Sequence, residues 1–321
     1  MADRCGSVLV MTNSRDVTAD VVLRVLAERG VPVVRLDPGA DLHAGASLTA
    51  MYGMGGQRGS LRTRSRELDL TRVRSVWVRR ASPYGGPAQL EEQDRRFAAA
   101  QALWGAGGIL ASLPGAHYVN HPWANRGAEY KPAQLAVARR HGFPVPDTLI
   151  TNELSAAQEF VAGQAGGVVY KPLWNTAYEV DGLPRQVWVR EVRGNELTAG
   201  VEVCPHLFQA KVDKAFDVRV TAVGDRLFAI RIDSPDLDWR HRQGLMECAP
   251  VVVPGEVSRA VAGYLGELRL VYGAFDFAVT GAGEWYFLEC NPNGQWAWQL
   301  PETTDAIAQA IADQLQRGPD T

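Results

Sequence analysis

The stretch AFDFAVTGAGEWYFLECN, residues 274–291, reads as two extended runs of alternating and aromatic residues joined by a short polar loop, and its register decides what the chain can do. If Gly281 to Glu284 form a four-residue loop, Thr280 pairs with Trp285, and counting outward puts Asp276 directly opposite Glu289. The strand period of two then places Asn291 on the same face as Glu289. Two carboxylates facing each other across strands repel unless a cation or a shared proton compensates. Magnesium suits this set, because it is a hard ion that takes one or two carboxylates and leaves room for substrate phosphates. Asp276, Glu289 and Asn291 are therefore the candidate metal ligands, against the alternative of a half-exposed edge with solvated acids.

Outward from this hairpin, strands dominate the C-terminal third. They are expected at Leu207–Val212, Phe216–Val223 and Arg226–Asp233, the last two turning at Gly224-Asp225, with helices at 256–269 and 303–316. A strand is expected at 186–192, the capping-box spacing from Ser155 to Gln158 predicts a helix start, and GGVVYKP after it reads as a strand ending at Lys171. Lys131 opens a helix that Gly142 closes, and FPVPD then breaks the chain. At the start, SVLVMT, a helix at 17–28 and VPVVRLD give strand, helix, strand without a GxGxxG. Further strands at 47–52 and 75–79 and a helix at 89–104 complete a first unit near Gly115. The expected fold class is α/β (α+β), divided as 1–115, 116–208 and 209–321.

The bulk numbers agree with a multi-unit globular chain: 321 residues, 46% hydrophobic and 21% charged. A net charge of -3 and a pI near 6.1 give no field to hold a polyanion, so nucleic acid is not an expected partner. The sequence has no apolar run near the roughly 20 residues that span a bilayer and no signal-like start, so a cytoplasmic protein without a membrane partner is expected. Cys5, Cys204, Cys248 and Cys290 are scattered without paired spacing, and a histidine-based metal site is not expected.

The order Lys131, Lys171, LFQAKV, DVRV, FDF and LECNPNGQW resembles the ATP-grasp ligase superfamily over roughly residues 120–300. Within it, VWVRR at Val76–Arg80, YKPAQLAVARRHGFPVPDTLITN, DWR at Asp238–Arg240 and NPNGQWAW are similar to the ATP-grasp ribosomal peptide maturases, the graspetide synthetases or omega-ester/amide peptide macrocyclases. The resemblance implies an ATP-grasp fold behind an N-terminal pre-grasp domain, with ATP and Mg2+ as cofactors. It implies phosphate contacts at Lys131 and Lys171, an adenine-lining hinge at Gln209, Ala210 and Val212, and a ribose contact at Asp217. Asp276, Glu289 and Asn291 match its metal triad, and Lys171 and Arg219 its catalytic cations. Two departures stand out: Gln209 occupies a position where Glu is frequent, and PLWNTAYEVDGLP after Lys171 is poor in glycine for a phosphate-covering loop.

On the same resemblance the substrate is a ribosomal precursor peptide, a leader plus an acidic core with Thr or Ser. An Asp or Glu side chain is activated and attacked by Thr, Ser or Lys, and a homodimer or tetramer does the work. Arg79, Arg80, Arg231, Asp238 and Arg240 are the candidate peptide contacts, and 173–184 the candidate lid. The arginines at 58, 62, 64, 66, 72, 74, 79 and 80 are either an acidic-peptide surface or a solvated face. Trp285, Trp296 and Trp298 are expected to pack rather than to recognise. Intermolecular ligation of an amine to a carboxylate, and a binding module without turnover, are the competing functions.

Overall fold

The computed structural model describes residues 6–175 and 178–318, so Cys5 and part of the expected lid lie outside the described residues. Four parallel strands, in the order Val33–Leu36, Ser7–Met11, Val73–Val78 and His117–Val119, form the first sheet. A buried parallel strand must satisfy two faces. Val8 and Val10 meet the helices Val17–Glu28 and Pro301–Arg317, while Leu9 and Met11 meet Leu61, Leu68 and Leu110 under a three-stranded antiparallel sheet, 47–69. The C-terminal helix thus belongs to the N-terminal core, pinned by Ser75 Oγ donating to Leu315 O at 2.6 Å. This first sheet runs past Gly115 to Val119.

A four-stranded antiparallel sheet follows, in the order Arg190–Val192, Val168–Lys171, His206–Ala210 and Thr148–Thr151, backed by the helix Leu154–Gly163. That helix starts two residues before the position predicted from Ser155: Glu153 is its N-cap, and Ser155 turns its hydroxyl to Glu153 instead of to the helix backbone. The expected strand at 186–192 is a strand only from Arg190.

The third sheet has five antiparallel strands, in the order Glu247–Pro250, Arg226–Asp233, Lys214–Val223, Tyr272–Thr280 and Trp285–Asn291. Phe143, Phe275, Phe277 and Phe287 fill one face under the helices Gly255–Glu267 and Lys131–Arg140. Asp276 does face Glu289, but by a different route from the one counted above. Thr280 accepts from Gly283 N and donates its own N–H to Glu284 O, so the first strand pair is Val279 with Trp285, one residue out of the expected register. Phe277 pairs with Phe287, and the register then shifts so that Asp276 meets Glu289. The extra residue is Leu288, a β-bulge of the kind that re-aims side chains beside sites.

Candidate active site

The open face of the five-stranded sheet, the end of the middle sheet and the start of the helix Lys131–Arg140 enclose a cavity of about 390 Å³. Asp276, Glu289, Asn291, Lys131, Lys171, Gln209, Asp217, Asp238 and Arg240 all line it, so most of the expected site converges. Lys131 arrives from the first turn of its helix, with Pro132 beside it at the N-terminus, and Lys171 from the last position of a strand.

The acids are neutralised by neighbouring cations. Arg219, whose residue pairs with Asp276 across the strands, donates to Asp276 Oδ2 at 2.6 Å. Arg240 donates to Asp276 Oδ2 and to Glu289 Oε1, and Lys131 donates to Glu289 Oε2. Asn291 Nδ2 bridges the two carboxylates at 3.2 and 3.1 Å. Burial pushes the Glu289 carboxyl up, but Lys131 and Arg240 outweigh it and hold the group well below the usual carboxylate range. Asp276 Oδ1 is buried with no partner among the described residues. An orphaned carboxylate oxygen is costly unless something else ligates it, and beside a second carboxylate and a side-chain amide it fits a hard divalent ion.

Burial pushes the Lys171 ammonium down from 10.5 to about 8, with Glu289 pulling the other way. Lys171 Nζ donates to Gln209 Oε1 at 2.6 Å, and Gln209 Nε2 donates to Thr148 Oγ1 at 2.8 Å, so the departure from Glu at this position leaves the lysine with a neutral partner. In the hinge, Ala210 N donates to Asp147 O and Lys211 N to Gly167 O. That leaves the Val212 N–H without a backbone acceptor among the described residues, the donor available to a ligand edge. Asp217 is 4% exposed and takes Lys214 Nζ at 2.5 Å; burial still raises its carboxyl to about 6. Lys214 also donates to Leu237 O at 2.8 Å, tying the DWR loop to this strand.

Several expected peptide contacts sit elsewhere. Arg79 is 5% exposed, with Nε donating to Asp16 at 3.2 Å and its terminal nitrogens donating to Asn293 O, Gly294 O and Gln295 Oε1. A guanidinium so committed cannot greet a peptide; it locks the first sheet to the turn after Asn291, which corrects the expectation for Arg79. Arg80 and the arginines at 58–74 do not line the cavity. Arg231 lies over Phe216 at 4.0 Å and is held bidentately by Asp233, away from the lining, while Asp238 accepts from Arg240 N at 3.1 Å. Trp296 and Trp285 are buried in cores as expected, and Trp298 packs against Trp239, rings tilted by 39° with centroids 4.8 Å apart.

The described part of the candidate lid holds a hairpin: Tyr178–Val180 pairs with Leu183–Arg185 across Asp181 and Gly182, both at positive φ. Its base, Trp174, meets the Arg126 guanidinium at 5.9 Å, and Trp188 meets His241 edge-on at 5.3 Å, both lining the cavity. Sequence reading missed Lys214, Gln134 and Trp188. Only Gln134 carried a signal, three residues after Lys131 on one helix face.

Residues 7–126 match the MvdD pre-ATP grasp domain family. Over 98% of this chain and 99% of the other, the structure is similar to a Chryseobacterium gregarium RiPP-associated ATP-grasp ligase in complex with ADP and a leader and core peptide, with TM-score 0.88 and 26% identity. The chain is an ATP-grasp ligase. This ligase is also similar to the macrocyclase MdnC of Microcystis aeruginosa MRC bound with precursor peptide MdnA, with TM-score 0.84 and 28% identity over 96% of this chain and 99% of that one. The macrocyclase MdnB of the same organism gives 0.81 and 28% over 98% and 100%. Among curated protein sequences there is no match.

Proposed function

We propose that this ligase uses ATP and magnesium to phosphorylate an Asp or Glu side chain of a ribosomal precursor peptide and closes an ester or amide macrocycle with a Thr, Ser or Lys of the same peptide. The observation that carries this reading is the convergence of two phosphate-type lysines, Lys131 and Lys171, with the Asp276, Glu289 and Asn291 face in one cavity. The peptide assignment draws on the relatives bound to leader, core and precursor peptides.

A carboxylate is a poor electrophile, and transfer of the γ-phosphoryl group turns one of its oxygens into a leaving group. Lys131 and Lys171 hold the phosphates, and Gln209 keeps Lys171 aimed at them. Magnesium held by Asp276, Glu289 and Asn291 would offset the charge that develops between the β and γ phosphates. Arg240, partly exposed on the DWR loop and bound to the two acids that magnesium would take over, is freed by that exchange to hold the substrate carboxylate, with Asp238 fixing its backbone. Asp217 meets the ribose from the cavity wall and Val212 N the adenine. Trp174 and Trp188 keep water from the acyl phosphate.

We assign the chain three functional parts, one to each large sheet, moving the expected bounds 1–115, 116–208 and 209–321 so that the first part reaches Val119 and takes in the helix Pro301–Arg317 and the second reaches Ala210, and we place the chain in the cytoplasm; among the described residues no helix is long and apolar enough to cross a membrane. A homo-oligomer accounts for the helix Glu92–Ala111, on which Phe97, Leu103 and Trp104 are 66%, 51% and 80% exposed.

The test is to incubate the protein with ATP, magnesium and an acidic, Thr-rich precursor and to record peptide mass and ADP. Loss of one water per ring, abolished by Glu289→Ala and by Lys171→Ala, is the expected result. A mass gain would replace cyclisation with intermolecular ligation, and an unchanged peptide without ADP would refute turnover on that class of peptide.

A further inference from the structure

The strand Trp285–Asn291 is the outer strand of its sheet, so one edge of its backbone has no neighbouring strand to bond. That edge carries the residues that matter, because Cys290 separates Glu289 from Asn291. Gln134, 3% exposed on the helix that begins at Lys131, fills the gap. Cys290 N donates to Gln134 Oε1 at 3.0 Å, and Gln134 Nε2 donates to Cys290 O at 2.8 Å. The second Nε2 proton goes to Ala128 O at 2.7 Å, just before the helix. A glutamine amide presents the same donor and acceptor as a peptide group, so Gln134 acts as a one-residue strand against Cys290. Farther along the same edge, Phe287 N donates to Pro144 O at 2.8 Å.

We propose that Gln134 is a positioning residue for the metal: by clamping the Cys290 peptide it fixes the directions of Glu289 and Asn291 and their spacing from Lys131. The inference rests on the metal reading of that face. One amide joins the helix that supplies a phosphate cation to the strand that supplies two ligands, so the two cannot shift independently. The bulge at Leu288 makes the clamp necessary. An irregular strand is held less firmly by its ladder, and on this strand the irregularity lies next to Glu289.

The test uses the full chain with ADP and Mn2+ in place of magnesium, reading free Mn2+ by electron paramagnetic resonance. Gln134→Met keeps the volume and removes all three hydrogen bonds. Gln134→Glu keeps the acceptor for Cys290 N but sets a carboxylate oxygen against two carbonyls. Both should weaken Mn2+ binding by about tenfold or more, the usual effect of losing a partner that orients a ligand. ADP affinity measured in EDTA should stay within roughly twofold, because metal-free nucleotide does not depend on ligand direction. Amide exchange at Cys290 should quicken in both, and the glutamate variant carries the test if the methionine variant fails to fold. Undiminished Mn2+ binding in both variants, while Glu289→Ala loses it, would overturn the positioning role and leave the metal reading standing. Equal losses of metal-free ADP affinity would also overturn it, by showing a structural role alone. Unchanged Mn2+ binding in Glu289→Ala would overturn the metal reading and this inference with it.

Discussion

With Lys171 in its proposed place against phosphate, its burial sets a pH limit on nucleotide binding that can be calculated. Burial lowers its ammonium from 10.5 to about 8, and a displacement of that size corresponds to roughly 3 kcal/mol favouring the neutral form. Because the folded value lies below the unfolded one, the native chain binds fewer protons than the unfolded chain between the two. The penalty for burying the charge is therefore complete below about pH 8 and fades as pH rises toward 10.5. Phosphates restore the charged form, so above about 8 the free protein must take up a proton in order to bind. ADP affinity, measured by calorimetry in EDTA, should be flat up to about pH 8 and then fall by up to tenfold per pH unit. In Lys171→Arg the guanidinium stays charged and the fall should vanish. A wild-type profile that stays flat to about pH 10, or an arginine variant with the same slope, would refute this account of the site's electrostatics.

Arg79→Met strands the buried Asp16 carboxylate and should cost about 3–5 kcal/mol in chemical denaturation, while the folded fraction keeps its KM for peptide. Inserting one alanine between Leu288 and Glu289 sets Glu289 opposite Phe275 and should abolish Mn2+ binding in a chain whose circular dichroism is retained, whereas deleting Leu288 leaves Glu289 opposite Asp276 and should spare it. Trp104→Glu should convert the proposed homo-oligomer into a monomer by light scattering without loss of thermal stability; an unchanged mass would place the contact elsewhere.

Much of this molecule was legible because its chemistry lies on short, strongly patterned segments. The lysines at a helix start and a strand end, and the acids on a hairpin, announce themselves by position. The hairpin shows the limit of counting: two one-residue departures, in the loop and at Leu288, cancel at Asp276 and Glu289, and neither leaves a mark in the sequence. Arg79 was misplaced because an arginine after a buried strand reads alike whether it meets solvent or a distant Asp16. Lys214 and Trp188 were invisible for the same reason, since their partners, Leu237 and His241, come from a loop whose path no periodicity specifies. The Ser155 spacing satisfied a capping pattern, but Glu153 took the cap first.

Leu288 also separates two kinds of tolerance within one hairpin. Because the phase of Glu289 is reset at the bulge, the exposed tip Gly281–Glu284 is insulated from the site it leads to. Residues can be spliced into that tip, a peptide tag or a fluorophore anchor among them, without rotating a ligand, provided Val279 and Trp285 still meet. Between Phe287 and Glu289 the same insertion, even of one residue, sets Glu289 opposite Phe275 and turns a pocket glutamate toward the core. The hairpin is thus editable at its end and fixed at its middle.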